Sequence, residues 1–218
     1  MRSLWCALLV FLVAGHSANA DDKDPNDPNE LLPTKSDAIV KDPNDLKELL
    51  QTKWDAIISV LKKKDIDQKT KEKEIDKIVS PMYDFPLMAK LALGREHWPK
   101  LTPPQREKFT QLFVERLKSS YLEKVKLYTD EKASFKSAVV QKKKNVIYVP
   151  MQLTSEDKEI TILYKLRKED TPQAGWKIYD VEIQGVSILL TYRSQFDDIL
   201  RRGTVKDLLS RLEKPPNS

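Results

Sequence analysis

His97 and Asp84 are the side chains here best suited to acid–base chemistry, and a serine activated by the imidazole would make the protein a hydrolase using both. The surrounding residues argue against it. No Gly-x-Ser-x-Gly turn accompanies them, and Arg95-Glu96-His97-Trp98 reads as a structural corner. The chain has two histidines and one cysteine. His16 and Cys6 both lie in an N-terminal segment with the features of a cleaved export signal, which leaves His97 as the one histidine of the mature chain. Disulfides, a thiol nucleophile and a multi-histidine metal site are thereby excluded. No catalytic residue, metal ligand or cofactor is expected.

The export signal consists of a positive start at Met1-Arg2, an apolar run from Leu4 to Ala14, and the small-residue pattern Ala18-Asn19-Ala20 before Asp21. Residues 1–20 are read as this signal, and the periplasm of a Gram-negative cell fits the product. The apolar run is too short for a membrane span, and no later stretch approaches the roughly 20 apolar residues a span needs. Cys6 sits inside the run and away from the cleavage point, so a lipid-anchored form is not expected. The formal charge is +5. After export, the partner suited to that charge is an anionic lipid surface met transiently, not nucleic acid. Lys62-Lys63-Lys64 and Lys142-Lys143-Lys144 read as solvated ends and turns. Without disulfides the chain must stand on its hydrophobic core, and its length suffices for one sizeable domain, expected to be monomeric.

The segment Lys23–Val40 returns as Lys41–Ile58 with most positions identical, a tandem duplication. The first copy carries Pro28 and Pro33 where the second has Leu46 and Gln51, so only the second continues as a helix. Asn44 or Asp45 is expected to cap it. Residues 21–43 then form a flexible leader, 44–214 the domain and 215–218 a tail. The leader's Asp and Asn residues lack the Gly and closing Glu of a calcium loop. A lysine-rich helix follows from Asp67 to about Val79, stopped by Pro81. A short helix from Pro86 to Leu93 is capped by Asp84 and stopped by Gly94. Thr102-Pro103-Pro104 opens the longest helix, with Phe109, Leu112, Phe113, Leu117, Tyr121, Val125 and Tyr128 along one face.

Beyond Tyr128 the period changes to two. Ser134–Gln141, Val146–Thr154, Glu159–Lys168 and Trp176–Gln184 read as four strands joined by short turns, which makes an antiparallel meander. Ile147, Val149, Met151 and Leu153 share one face, as do Ile160, Ile162, Tyr164 and Leu166. In the last strand, Trp176 and Ile178 point one way while Tyr179, Val181 and Ile183 point the other, so neither side meets only water. Gly185 ends that strand, and Leu189, Tyr192, Phe196 and Leu200 give the next helix an apolar face. A final helix starts at Thr204. The fold class is α+β: an antiparallel, twisted sheet of four or more strands covered by about six or seven helices.

Two signatures in these residues resemble the MlaC family, also called toluene-tolerance auxiliary components. The first runs Asp84-Phe85-Pro86-Leu87-Met88-Ala89, then Leu91 to Trp98, then Leu101 to Arg106 and Phe109. The second comprises Gly175 to Val181, Gly185-Val186-Ser187 and Tyr192-Arg193-Ser194-Gln195-Phe196. Thr191 departs from the family, many members of which carry Asn there. The resemblance implies an NTF2-like or cystatin-like cone with an internal apolar cavity. It further implies a periplasmic carrier that holds phospholipid acyl chains and shuttles them between an outer-membrane lipoprotein complex and an inner-membrane ABC transporter with its substrate-binding hexamer, maintaining outer-membrane asymmetry.

At about 0.8 kcal/mol per buried methylene, two long acyl chains represent roughly 20 kcal/mol or more of hydrophobic cost in water. A carrier therefore needs a cavity toward the upper end of the ~300 to 1,000 Å³ usual for ligand pockets. The inward faces offer Phe113, Leu117, Tyr121, Val149, Met151, Ile162, Tyr164, Val181, Ile183, Ile188 and Tyr192 as lining or as ordinary core. Arg193 is the candidate for a lipid phosphate at the entrance, or for an ion pair with Asp84, Asp180 or Asp197. Tyr83 and Asp84 are read as a corner shaping that entrance. Alternative functions are a carrier of another lipid such as a hopanoid, a hydrophobic-solvent tolerance factor, a periplasmic hydrolase, or a structural adaptor.

Overall fold

Helix boundaries in this chain fall where prolines and short polar caps put them. A computed structural model describes residues 43–125, 131–142, 145–155, 158–168 and 175–214. The export signal, the first copy of the duplication, Tyr128, Lys143-Lys144, most of the third turn and the last four residues lie outside that range.

Helix α1 spans Pro43–Lys62, so it starts on the proline itself, and Asp45 lies in its first turn instead of capping it. Helix α2 spans Gln68–Val79, and its cap Asp67 accepts from the Thr70 amide at 2.7 Å. Ser80-Pro81-Met82 close it with a 3-10 turn. Helix α3, Phe85–His97, is capped by Asp84, which accepts from the Leu87 amide at 3.0 Å. It is interrupted at Gly94, where φ is +82°, a left-handed conformation that a side chain would strain. Helix α4 spans Pro103–Val125. Thr102 and Gln105 cap it reciprocally, the Thr102 amide donating to Gln105 Oε1 at 2.9 Å. Helices α5, Ile188–Arg202, and α6, Val205–Glu213, begin on the caps Ser187 and Thr204.

The sheet is antiparallel and six-stranded, in the order β1-β3-β4-β5-β6 with β2 also on β3. Its strands are β1 Lys132–Phe135, β2 Val139–Val140, β3 Val146–Ser155, β4 Lys158–Lys168, β5 Trp176–Ile183 and β6 Val186–Ser187. The expected first strand is thus split in two. Phe135 pairs with Met151 and Val139 with Tyr148, so the edge holds one residue more than β3 across the gap. Pro150 sits opposite that gap. It accepts from the Lys136 amide at 2.8 Å but has no N–H to return, and the ladder bulges there.

A second bulge corrects the expected facing of β5. Lys165 pairs with Asp180 and Leu166 with Ile178, which leaves Tyr179 as the extra residue. Period two would send Ile178 and Val181 to opposite faces. The bulge brings both into the same buried cluster, along with Trp176 and Ile183. Gln184 and Gly185, at φ +51° and +79°, then make the tight reversal into β6.

Three hydrophobic clusters result. One joins α3, α4, α5 and α6 around Phe109, Phe113, Tyr192 and Phe196. Another packs Leu46 and Leu50 of α1 on Ile147, Val149, Met151 and Leu166 of the sheet. A small third joins Ile57 and Val60 of α1 to Ile75 of α2.

Candidate functional site

The three clusters do not merge. Where they meet, a cavity of about 130 Å³ remains, and the cleft that contains it spans about 910 Å³ with its open approach. Ile75 and Val79 come from α2, Phe85 and Met88 from α3, and Leu117 and Tyr121 from α4. Ile162 and Tyr164 of β4, Val181 and Ile183 of β5, and Ile188 at the start of α5 complete the apolar wall with Tyr83. A smaller cavity of about 30 Å³ lies on the α1 side and shares Val79, Tyr83, Tyr121 and Tyr164 with the first. Three tyrosines therefore form the partition between the two chambers. Burial pushes the Tyr164 phenol up to about 12. The Tyr121 and Tyr83 phenols are raised by burial first and then by the neighbouring phenols. All three stay neutral across the physiological range, which suits an apolar interior.

Of the residues expected from sequence, Leu117, Tyr121, Ile162, Tyr164, Val181, Ile183, Ile188 and Tyr83 lie on this wall. Phe113, Val149, Met151 and Tyr192 do not. Phe113 and Tyr192 pack edge to face with ring centroids 5.2 Å apart, and Val149 and Met151, on the same face as their cross-strand partners Tyr164 and Ile162, are fully buried in the cluster shared with Leu46 and Leu50 of α1. Facing inward and facing a void are separate properties, and these four have only the first.

Arg193 is away from the cavity. Its guanidinium donates to the Leu91 carbonyl through both Nε and a terminal nitrogen, the Nε bond being 3.0 Å. Its side chain also fills the space beside Gly94, where an added Cβ would lie 3.2 Å from Nε. It thus satisfies the carbonyl freed by the kink in α3. None of the expected carboxylates is its partner in these bonds. Asp84 caps α3, Asp180 accepts from Ser187 Oγ at 2.8 Å, and Asp197 meets His97 Nε2 at 3.0 Å. The two sequence signatures meet here, α5 being fastened to α3 through Arg193 and Asp197.

The hydrolase arrangement is not assembled. Asp84 and His97 stand at opposite ends of α3, with the kink at Gly94 between them, and each is engaged structurally. Among the described residues no group of His, Cys, Asp and Glu could hold a metal ion. No described helix is long and apolar enough to cross a membrane.

Sequence reasoning missed Ile75, Val79, Asp76, Phe85, Met88, Lys118 and Ser120. The i, i+4 pair Ile75 and Val79 was a usable signal within α2. Asp76 and Lys118 carry no such signal, because only packing places α2 beside α4.

An antiparallel sheet and helices thus enclose an apolar chamber, and among the described residues Asp84 and His97 are not brought together. The family model described as MlaC protein matches residues 51–214, and the chain belongs to the MlaC family. A solved structure, described as the phospholipid-binding protein from Ralstonia solanacearum in complex with a phospholipid, shares the fold with a TM-score of 0.67 and 22% identity. The match covers 79% of this chain and 96% of that one.

Proposed function

We propose that this protein is a periplasmic phospholipid carrier. The carrying observation is the chamber walled by aliphatic and aromatic side chains from α2, α3, α4, β4 and β5, with charged residues only at its rim. Family membership and the phospholipid in the Ralstonia solanacearum structure support the choice of cargo. The enclosed space is smaller than the upper range expected for two acyl chains; a cavity near ~150 Å³ takes a benzene-sized guest. Seating a lipid therefore requires the walls to separate, and the smaller chamber behind the three tyrosines is where the space can extend. Loaded protein exchanges cargo with an outer-membrane lipoprotein complex and an inner-membrane ABC transporter with its substrate-binding hexamer. The work is transfer between apolar environments, which needs no covalent step and no cofactor. It operates as a monomer after removal of residues 1–20 and contributes to outer-membrane asymmetry.

Native mass spectrometry of protein purified from its periplasm, followed by lipid extraction, tests this reading. Stoichiometric diacyl phospholipid is the expected result. A protein that remains empty after incubation with phospholipid vesicles, or whose bound lipid lacks phosphorus, overturns it.

A further inference from the structure

Among the residues lining the main cavity two are charged, Asp76 of α2 and Lys118 of α4. Lys118 Nζ lies 2.9 Å from Asp76 Oδ1 and 3.2 Å from Oδ2. Their side chains are 33% and 41% exposed for Lys118 and Asp76 respectively, so the pair stands where the apolar interior opens to solvent. Each partner is held in place by a neighbour. Ser80 Oγ donates to Asp76 at 2.7 Å, and the Lys118 ammonium lies 5.3 Å from the centroid of the Phe85 ring.

A lone lysine at such a mouth would favour any phosphate, and a lone carboxylate would repel one. One ammonium and one carboxylate within hydrogen-bond reach instead match the two charges of a zwitterionic headgroup, a phosphate and a primary ammonium. We propose that Asp76 and Lys118 select the headgroup at the cavity mouth, Lys118 taking the lipid phosphate and Asp76 the headgroup ammonium, so that aminophospholipids are preferred to anionic ones. The inference rests on the phospholipid reading above. When a zwitterionic lipid enters, each side chain exchanges one opposite charge for another. An anionic lipid satisfies Lys118 but leaves Asp76 facing a phosphate without a cation, and that repulsion supplies the discrimination.

The test loads the mature protein from vesicles of equimolar phosphatidylethanolamine and phosphatidylglycerol and then counts both lipids in the washed protein. Wild type is expected to enrich phosphatidylethanolamine roughly two- to fivefold, the range a partly exposed charge interaction supports. Asp76→Asn lowers the ratio toward or below unity by removing the repulsion. Lys118→Gln moves it the other way, because the carboxylate remains. A merely structural link between α2 and α4 would reduce loading of both lipids equally and leave the ratio fixed in both variants, which would overturn the proposal. Equal loading of the two lipids by wild type also overturns it, and this measurement needs no variant to fold. The reversed pair, Asp76→Lys with Lys118→Asp, keeps both charges and should keep the preference. Wild type carrying neither lipid would instead overturn the carrier reading itself.

Discussion

Helix α4 carries one apolar stripe through two different environments. In its N-terminal half Phe109 and Phe113 stack with centroids 6.0 Å apart and meet Phe196 and Tyr192 edge-on at 5.4 and 5.2 Å. One turn further on, Leu117 and Tyr121 continue the stripe and face the cavity. The spacing is the same in both halves. What differs is the element opposite: the aromatic face of α5 fills the space beside the N-terminal half, whereas the C-terminal half stands across a gap from β4 and β5 with α2 at the side. Hydrophobic periodicity sets which way a side chain points, and the partner decides whether anything is there to meet it.

Truncating the stripe on each side of this boundary should have unequal effects. Phe113→Ala should cost about 3–5 kcal/mol in denaturant unfolding, since a fully buried ring leaves a new void. Leu117→Ala should cost at most about 2 kcal/mol, because its outer face already borders empty space. Equal losses would mean that the two halves are packed alike.

Filling the void should separate binding from stability. With room for about two methylenes removed, Leu117→Trp should weaken phospholipid loading about tenfold. The unfolding midpoint should stay near that of wild type, and a collapse of stability with loading unchanged would place the cargo elsewhere.

Alkaline pH probes the tyrosine partition. The folded protein keeps the Tyr164 proton up to about 12, whereas the unfolded chain releases it near the ordinary 10.0. Above that value the unfolded state binds fewer protons than the folded state, so stability is intact below about pH 10 and falls between there and about pH 12. Unfolding midpoints measured across that range should show the fall, and Tyr164→Phe should make it shallower by one group's share, because burial also raises the Tyr83, Tyr121 and Tyr192 phenols. A fall of unchanged slope in that variant would assign the effect to other groups.

The smallest expected effect lies at the seam between the regions. Asp84→Ala removes the α3 cap and should cost about 1 kcal/mol without changing lipid loading. The same variant tests the hydrolase alternative, since a carboxylate that only caps a helix can be lost without loss of function.

Much of this architecture is legible along the chain. The caps Asp67, Asp84, Ser187 and Thr204 sit where short side chains precede apolar periodicity, and all four accept from backbone amides of the helices they start. The facing of β3 and β4 is read correctly, with Val149 opposite Tyr164 and Met151 opposite Ile162. The errors arise where a local rule is overridden by a neighbour. Period two fails across the bulge at Tyr179, because an extra residue reverses every facing beyond it. Arg193 is chemically suited to a phosphate, yet it serves the kink at Gly94, a position far away in sequence.

Helix starts and stops, the alternation of the long strands and the apolar stripes all depend on interactions within a few residues, so the order of amino acids was enough to set them. Which stripes close into core and which border the chamber was settled by packing alone, as was the meeting of Asp76 and Lys118 at its rim. Those outcomes depend on how three clusters from distant segments fit together, and the volume they leave unfilled belongs to no residue's own pattern.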